Sequence, residues 1–429
     1  MTTFEKLKPL SLRANFSWTF LGNVIYSASQ WGILISIARF GSPDMLGQFG
    51  LALAITAPII MLTNLHLRSI QATDAKKGYS FSHYLTLRLI TIIIAQVIIV
   101  FIVLNAHYDP YLSTLIILIG ISKGVESVTD IYYGLMQQQE RMDRIAKSMI
   151  IKGILSLLFA IIALIATNDI LFLSIALICS WSIILLIYDI KGTQFVNLNK
   201  KKYLSQQNIS YLLQLTKLSF PLGIVMMLLS LNTNIPRYFI EYYLGESELG
   251  IFIAMFYLII VGNTIVNALG QAALPRMAKY IGSANIRAYW RLLLSLNLIG
   301  ITLGFISILV AIIAGKWILT LVYGVEYAAH SDVFVWIMVA GALTYISSFL
   351  GYGMTALRQF REQAVVNILF TAVILIASIL LIPDYKLQGA VYAVCLLYLF
   401  QIPVKALFIV LGTRSCLSAN PPRHVTSNG

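Results

Sequence analysis

The sequence predicts an all-α integral membrane protein with twelve transmembrane helices in two pseudo-symmetric six-helix bundles around a central cavity. Three observations predict this fold. Of the 429 residues, 59% are hydrophobic and only 11% are charged, whereas about 25% of the residues of a soluble domain are charged. Long apolar stretches recur along the whole chain, and its two halves repeat a motif. A mean hydropathy of +0.84 leaves too little polar surface for a water-soluble fold.

Twelve stretches are long and apolar enough to cross a bilayer, which takes about 20 residues of α-helix. The seventh is the least regular, because Pro221, Asn232, Asn234 and Pro236 interrupt its apolar pattern. In chain order the predicted spans are 15–38, 46–66, 84–106, 111–136, 145–167, 170–189, 212–236, 248–273, 291–315, 331–354, 363–383 and 388–411.

The basic residues orient this set of spans. With twelve crossings, 25 of the 30 lysines and arginines fall on one side and four on the other, while Lys123 lies inside a span. Cytoplasmic connections carry the excess of Lys and Arg in membrane proteins. We therefore expect both termini to lie in the cytoplasm. The net charge of +13 then reflects topology, and no nucleic-acid partner is expected.

The distribution of apolar, charged and polar stretches predicts five segments. The basic start and the long apolar run after it indicate a first membrane helix, since the apolar region of a signal peptide is shorter. The basic, polar stretch at mid-chain is typical of a linker between two halves. The segments are a cytoplasmic N-terminus (1–14), an N-terminal six-helix bundle (15–189), a cytoplasmic linker (190–211), a C-terminal six-helix bundle (212–411) and a cytoplasmic tail (412–429).

An internal repeat supports the division into halves. The connection FGSPDMLGQFGLA (40–52) and the later LGESELGIFIAM (244–255) share a Gly, an acidic residue and then Leu-Gly-x-Phe, at 46–49 and 249–252. Six spans separate the copies, so both begin on the same side of the membrane. Such parallel repeats form two halves that rock around a central site in transporters.

Three charged residues lie within the fourth span. Lys123, Glu126 and Asp130 are spaced i, i+3, i+7, which places them on one stripe of the helix. A charge in mid-membrane costs about 2.5–3.5 kcal/mol on insertion scales, and such residues usually mark a transport path. Two interpretations follow: a cavity-lining cluster for a substrate or coupling ion, or a structural ion pair that joins helices. The partner of Lys123 is open at this point.

Other candidates lie near the predicted outer ends of the first and seventh spans. Arg39 and Arg237 lie at equivalent ends of the repeat, and Glu241 follows Arg237 by one turn. The repeat would place the two arginines opposite each other across an outer cavity. The guanidinium fork suits phosphate and carboxylate groups. The alternative is interfacial anchoring by snorkelling.

Polar side chains also recur on one face of the first and eighth spans. They would hydrogen-bond sugar hydroxyls or bond helix to helix. The residues are Asn23, Ser27 and Gln30 in the first span and Asn263, Asn267 and Gln271 in the eighth.

The sequence contains no recognisable catalytic motif. Neither the five histidines nor the three cysteines have metal-ligand spacing, and no P-loop or Ser-His-Asp arrangement is present. We expect no enzyme, no cofactor and no bound metal.

Several strings resemble a known family. They are NFSWTFLGNVIYSASQW (15–31), GSPDMLGQFGLALAITAPI (41–59), LRSIQATD (67–74), QQQERMDRIAKS (137–148) and NIPRYFIEYYLG (234–245). With them the chain resembles the polysaccharide-transport branch of the multidrug/oligosaccharidyl-lipid/polysaccharide exporter superfamily, which includes O-antigen and capsule repeat-unit flippases.

The resemblance implies a V-shaped cavity between two bundles and ion-coupled alternating access. The substrate would be an undecaprenyl-pyrophosphate-linked oligosaccharide, moved to the outer leaflet for O-antigen, capsule or exopolysaccharide assembly. Lys123, Arg237 and Arg39 would bind its anionic groups, while Glu126, Asp130 and Glu241 would serve proton or sodium coupling or gating. Expected partners are membrane lipids, a glycan polymerase and chain-length machinery. The alternative is a drug/cation antiporter of the same superfamily.

Overall fold

The chain folds into α-helices in a computed structural model that describes residues 10–74, 78–192, 209–283 and 285–419. No strand occurs within these ranges. The helices are α1 (Leu12–Phe40), α2 (Pro43–Asn64), α3 (Leu67–Thr73), α4 (Phe81–Asn105), α5 (Pro110–Gln138), α6 (Met142–Thr167), α7 (Ile170–Gly192), α8 (Ile209–Leu244), α9 (Glu246–Tyr257), α10 (Ile259–Gly282), α11 (Ile286–Val322), α12 (Val325–Ala328), α13 (Ser331–Ala356) and α14 (Phe360–Ala419).

Short polar side chains begin many of these helices. Each accepts a hydrogen bond from a backbone N–H of the first turn, which satisfies a donor that the helix itself leaves unpaired. Ser80 and His83 bond reciprocally as a capping box at the start of α4, which gives His83 a structural role. The other N-cap residues of this kind are Ser11, Ser42, Asp109, Asp169 and Asn285.

The predicted all-helical membrane fold is confirmed, while the count of twelve spans stays a prediction. Ten described helices are long and apolar enough to span a membrane, or eleven if α9 and α10 form one span bent by 45°. Both predicted final spans lie within α14, whose backbone leaves the helical region at Lys386 (φ 53°, ψ −133°). Contrary to its irregular pattern, α8 continues through Pro221 and Pro236.

The chain divides into two compact units, Met1–Asn234 and Ile235–Gly429. The division falls inside α8 because the first part of that helix packs on the first unit, with Leu215 in a buried cluster that also holds Tyr84 and Ile131. The predicted segment bounds stay predictions. Most of the linker, most of the N-terminal segment and the end of the tail lie outside the described residues.

In the first unit, α5 is the central helix. It packs against α2, α3, α4 and α7, while α1 packs along α6 and α6 along α7. A charged stripe on α5 is therefore surrounded by other helices of the same unit.

Both copies of the repeated motif hold the same place in their helices. Leu46 and Phe49 lie in the first turns of α2, and Leu249 and Phe252 lie in the first turns of α9. All four side chains are buried. The motif thus anchors the start of a helix twice, in line with the predicted repeat.

A close crossing of α11 and α13 organises the second unit and gives a stability prediction. A Cβ on Gly304 would lie 2.9 Å from the Cα of Ala342, so the two backbones would have to separate. We expect Gly304→Ala to lower the free energy of unfolding by about 1–3 kcal/mol. Gly351→Ala is the matched control, since no heavy atom lies within 4 Å of its added Cβ. Thermal unfolding in detergent measures both; equal midpoints would contradict the prediction.

Candidate functional site

Lys123 and Glu126 form an ion pair on α5. The Lys123 Nζ donates to Oε2 of Glu126 at 2.9 Å. The Tyr26 hydroxyl of α1 donates to the other oxygen, Oε1, at 2.7 Å. The two charged side chains are 28% and 32% exposed. The partner of Lys123 is therefore Glu126, and both side chains of the pair remain partly exposed.

Small residues bring Tyr26 to this pair. A Cβ on Gly22 of α1 would lie 2.8 Å from the Cα of Ala146, and a Cβ on Gly153 of α6 would lie 2.9 Å from the Ser29 Oγ. Only small side chains let two helices approach so closely. The crossing of α1 and α6 thus places the Tyr26 hydroxyl against α5.

Asp130 pairs with two arginines from other helices. The Arg68 Nη1 of α3 lies 3.1 Å from Oδ1, and the Arg88 Nη2 of α4 lies 3.7 Å from Oδ2. Arg68 also donates to Gln137, and Arg88 donates to Asn64. The Arg88 side chain is fully buried. Ion pairs of Asp130 therefore link α5 to both α3 and α4.

A break after α2 positions Arg68. Leu65 and His66 both adopt φ 51°, a left-handed conformation that is uncommon for residues other than glycine. The chain then turns into α3, which packs against α5. There Gln71 is buried against Gly134. The predicted span 46–66 thus ends at a sharp turn that carries Arg68 to Asp130.

Lys152 of α6 is a buried cation that the sequence analysis missed. Its side chain is 2% exposed, and its Nζ lies 5.4 Å from the Tyr133 ring and 5.9 Å from the Trp181 ring. The Lys123 Nζ lies 5.1 Å from the same Trp181 ring. The carboxylates of Glu126 and Asp189 lie close enough to attract its ammonium group. The cation–π contacts help to make this lysine tolerable in an apolar setting.

The charge assignment therefore needs a correction. Three of the 25 basic residues assigned to the cytoplasmic side are Arg88, Lys152 and Lys405. The structure places them inside α4, α6 and α14. Lys405 donates to the Ser347 Oγ at 2.7 Å and to the Gln401 Oε1 at 3.0 Å. The predicted spans 84–106, 145–167 and 388–411 already contain these three residues, so the error lay in counting them with the connections.

Seven ionisable side chains of the first unit form what we name the charge cluster. It contains four cations and three carboxylates, so its formal charge is positive. Arg68 and Lys123 are partly exposed and present the charge, whereas Arg88 and Lys152 are buried behind them. The members are Arg68, Arg88, Lys123, Lys152, Glu126, Asp130 and Asp189.

The other predicted site residues of the first unit lie along α1. Asn23 and Arg39 are exposed, and Arg39 lies in the last turn of the helix. Gln30 is partly buried, and its Nε2 is enclosed with no hydrogen-bond partner in the described chain.

The second unit holds the remaining predicted residues. Arg237 and Glu241 are partly buried in α8, and Asn263 is partly buried in α10. The Tyr352 hydroxyl donates to Oδ1 of Asn267 at 3.3 Å. Since Arg39 and Arg237 belong to different units, their predicted pairing across an outer cavity stays a prediction.

Removing the Tyr26 hydroxyl tests how much its hydrogen bond to Glu126 contributes to stability. We expect Tyr26→Phe to lower the free energy of unfolding by about 1.5–3 kcal/mol, because it removes a hydrogen bond to a charged group. Tyr242→Phe is a matched control, since Tyr242 is 77% exposed. Thermal unfolding of both variants provides the measurement. Equal losses in the two variants would show that the hydrogen bond to Glu126 contributes nothing.

These features define a class: a multi-pass helical membrane protein with a buried, cation-rich cluster in one of two units. The family model described as polysaccharide biosynthesis protein matches residues 12–281. A capsular polysaccharide biosynthesis protein of Staphylococcus aureus, CapF, is 32% identical over 385 residues, which cover 88% of this chain and 93% of the relative. The chain therefore belongs to the polysaccharide biosynthesis protein family, as the resemblance of its motifs indicated.

Solved structures show the same fold at low sequence identity. An inward-facing multidrug resistance MATE family transporter of the MOP superfamily aligns with a TM-score of 0.74 at 10% identity, over 93% of this chain and 98% of that one. The lipid II flippase MurJ, in an inward closed conformation, aligns with a TM-score of 0.68 at 12% identity, over 93% and 90%. These likenesses show that the chain shares its fold with both of these proteins.

Proposed function

We propose that this transporter flips undecaprenyl-pyrophosphate-linked oligosaccharide repeat units across the bacterial inner membrane for capsule, O-antigen or exopolysaccharide assembly. The observation that carries the proposal is the charge cluster, in which four cations exceed three carboxylates among apolar helices. An anionic pyrophosphate is the chemistry that such a cluster attracts. The relative CapF, named for capsular polysaccharide biosynthesis, supports the same assignment.

In this proposal, the substrate phosphate competes with Glu126 for Lys123. The lysine is partly exposed and 2.9 Å from its carboxylate, so an incoming pyrophosphate takes over part of its hydrogen bonding. Glu126 then loses its cation partner and takes up a proton or binds sodium, which couples transport to an ion gradient. One helical turn away, the substrate phosphate competes with Asp130 for Arg68 in the same way.

The other elements of the proposed mechanism follow the predicted topology. Both termini lie in the cytoplasm, and the bundles 15–189 and 212–411 rock to give alternating access. Arg39, Arg237 and Glu241 act near the outer ends of their helices. Asn23, Gln30, Asn263 and Asn267 hydrogen-bond the sugars. A glycan polymerase and its chain-length machinery take up the product.

Gene deletion and complementation test the function in cells. We expect deletion to abolish surface glycan and to accumulate undecaprenyl-linked repeat units on the cytoplasmic face, with wild-type protein restoring both. The readouts are surface-glycan staining and the amount of lipid-linked precursor. Unchanged surface glycan after deletion, in a strain with no second flippase, would contradict the proposal.

A further inference from the structure

A basic pocket lies where α6 begins and α7 ends, outside the charge cluster. It is open to solvent and spans about 620 Å³, and four cations line it: Arg141, Arg144, Lys147 and Lys191. One carboxylate, Asp143, lies among them. Two antiparallel apolar helices therefore place a concentration of positive charge at one shared end.

The lining of the pocket carries an excess of positive charge. Both oxygens of Asp143 accept from Arg141, each at 2.8 Å, so this pair is neutral. The other three charged residues of the lining are all basic. The Arg144 Nη1 donates to the Gly192 carbonyl at 2.9 Å, which fixes the guanidinium beside the pocket. The Lys147 Nζ lies 5.3 Å from the Trp18 ring, a contact that orders the lysine and leaves its charge in place.

Apolar surface continues directly from the pocket along both helices. On α6, Ile151 and Ile154 follow Lys147 at intervals of about one turn and are 43% and 47% exposed. On α7, Ile187 precedes Lys191 by one turn and is 59% exposed. In a membrane protein such exposed apolar stripes contact lipid acyl chains. Cations and acyl-chain surface thus form one continuous strip on each helix.

The end of α7 is also irregular at this place. Leu185–Asp189 form a π-helical turn, and such turns are frequent at functional sites. Ile187 of this turn lines the pocket.

We propose that this pocket binds the headgroup phosphate of an anionic phospholipid, whose acyl chains lie along the exposed faces of α6 and α7. Basic pockets between membrane helices are a recognised form of lipid-headgroup site. A soluble phosphate would use the cations but not the apolar strips, which is why the structure favours a lipid. This proposal does not depend on the proposed function.

Native mass spectrometry of the full-length protein in detergent tests this site. The probes are phosphatidylglycerol, phosphatidylcholine with the same acyl chains, and glycerol phosphate. The variant Lys147→Gln/Lys191→Gln removes two pocket charges, and Lys147→Arg/Lys191→Arg keeps them. Lys316→Gln/Lys386→Gln is the matched control, because both of these lysines are exposed and lie elsewhere in the chain.

We expect phosphatidylglycerol to bind more tightly than either of the other probes. The Gln pair should weaken its binding about 25-fold, since each basic residue near an anionic lipid surface contributes about a fivefold factor. The Arg pair and the control should bind it like wild type. Three results would each overturn the proposal: equal binding of the two lipids, equal binding by wild type and the Gln pair, or glycerol phosphate binding as tightly as phosphatidylglycerol.

Discussion

Replacing Asp130 with asparagine is expected to lower the free energy of unfolding by about 3 kcal/mol. The substitution keeps the shape of the side chain but removes the carboxylate that faces both Arg68 and Arg88. Arg88 is fully buried, so its charge would remain in an apolar interior without the counter-ion it has now. Arg68 is 30% exposed and loses less. Thermal or denaturant unfolding in detergent measures the change.

Two further variants separate the charge effect from local packing. Asp332→Asn is the matched control, because Asp332 is exposed and its contact is with Gln388. The double variant Asp130→Asn/Arg88→Met should recover part of the loss, since it also removes the uncompensated cation. A destabilisation by Asp130→Asn that Arg88→Met worsens additively would rule out this explanation.

Replacing Lys123 with methionine is expected to reduce transport about tenfold or more. Methionine keeps most of the volume, but it leaves the charge cluster with three cations against three carboxylates and frees Glu126 to repel an anionic substrate. Lys123→Arg should retain substantial transport because it preserves the charge. The measurement is the rate of surface-glycan recovery in a complemented deletion strain, normalised to protein in the membrane.

Lys217→Met is the control for this experiment, because Lys217 is an exposed lysine of α8. It should support recovery at the wild-type rate. If well-expressed Lys123→Met does so as well, the Lys123–Glu126 pair joins helices structurally and does not contact the substrate.

Much of the fold follows from the sequence because lipid imposes simple rules. Backbone groups must be satisfied within helices, so apolar stretches of sufficient length become helices almost regardless of detail. Even Pro221 and Pro236 do not end α8. The left-handed turn at Leu65 and His66 was not predicted, because neither residue type signals such a conformation.

The candidate site was predicted only in part. The stripe of Lys123, Glu126 and Asp130 follows from helical spacing within one segment. Its partners do not, because Tyr26 lies 100 residues from Glu126 along the chain and Arg68 lies 62 residues from Asp130. Such pairs depend on how helices pack, and a single sequence carries no direct signal of that packing.

A flipping assay in proteoliposomes tests the central claim most directly. Purified protein is reconstituted with a fluorescent undecaprenyl-pyrophosphate oligosaccharide and, in parallel, with a cationic dye under an imposed ion gradient. The proposed function predicts that wild type moves the anionic lipid, that Lys123→Met does not, and that neither moves the dye. Transport of the dye by wild type without movement of the lipid would contradict it and favour a drug/cation antiporter.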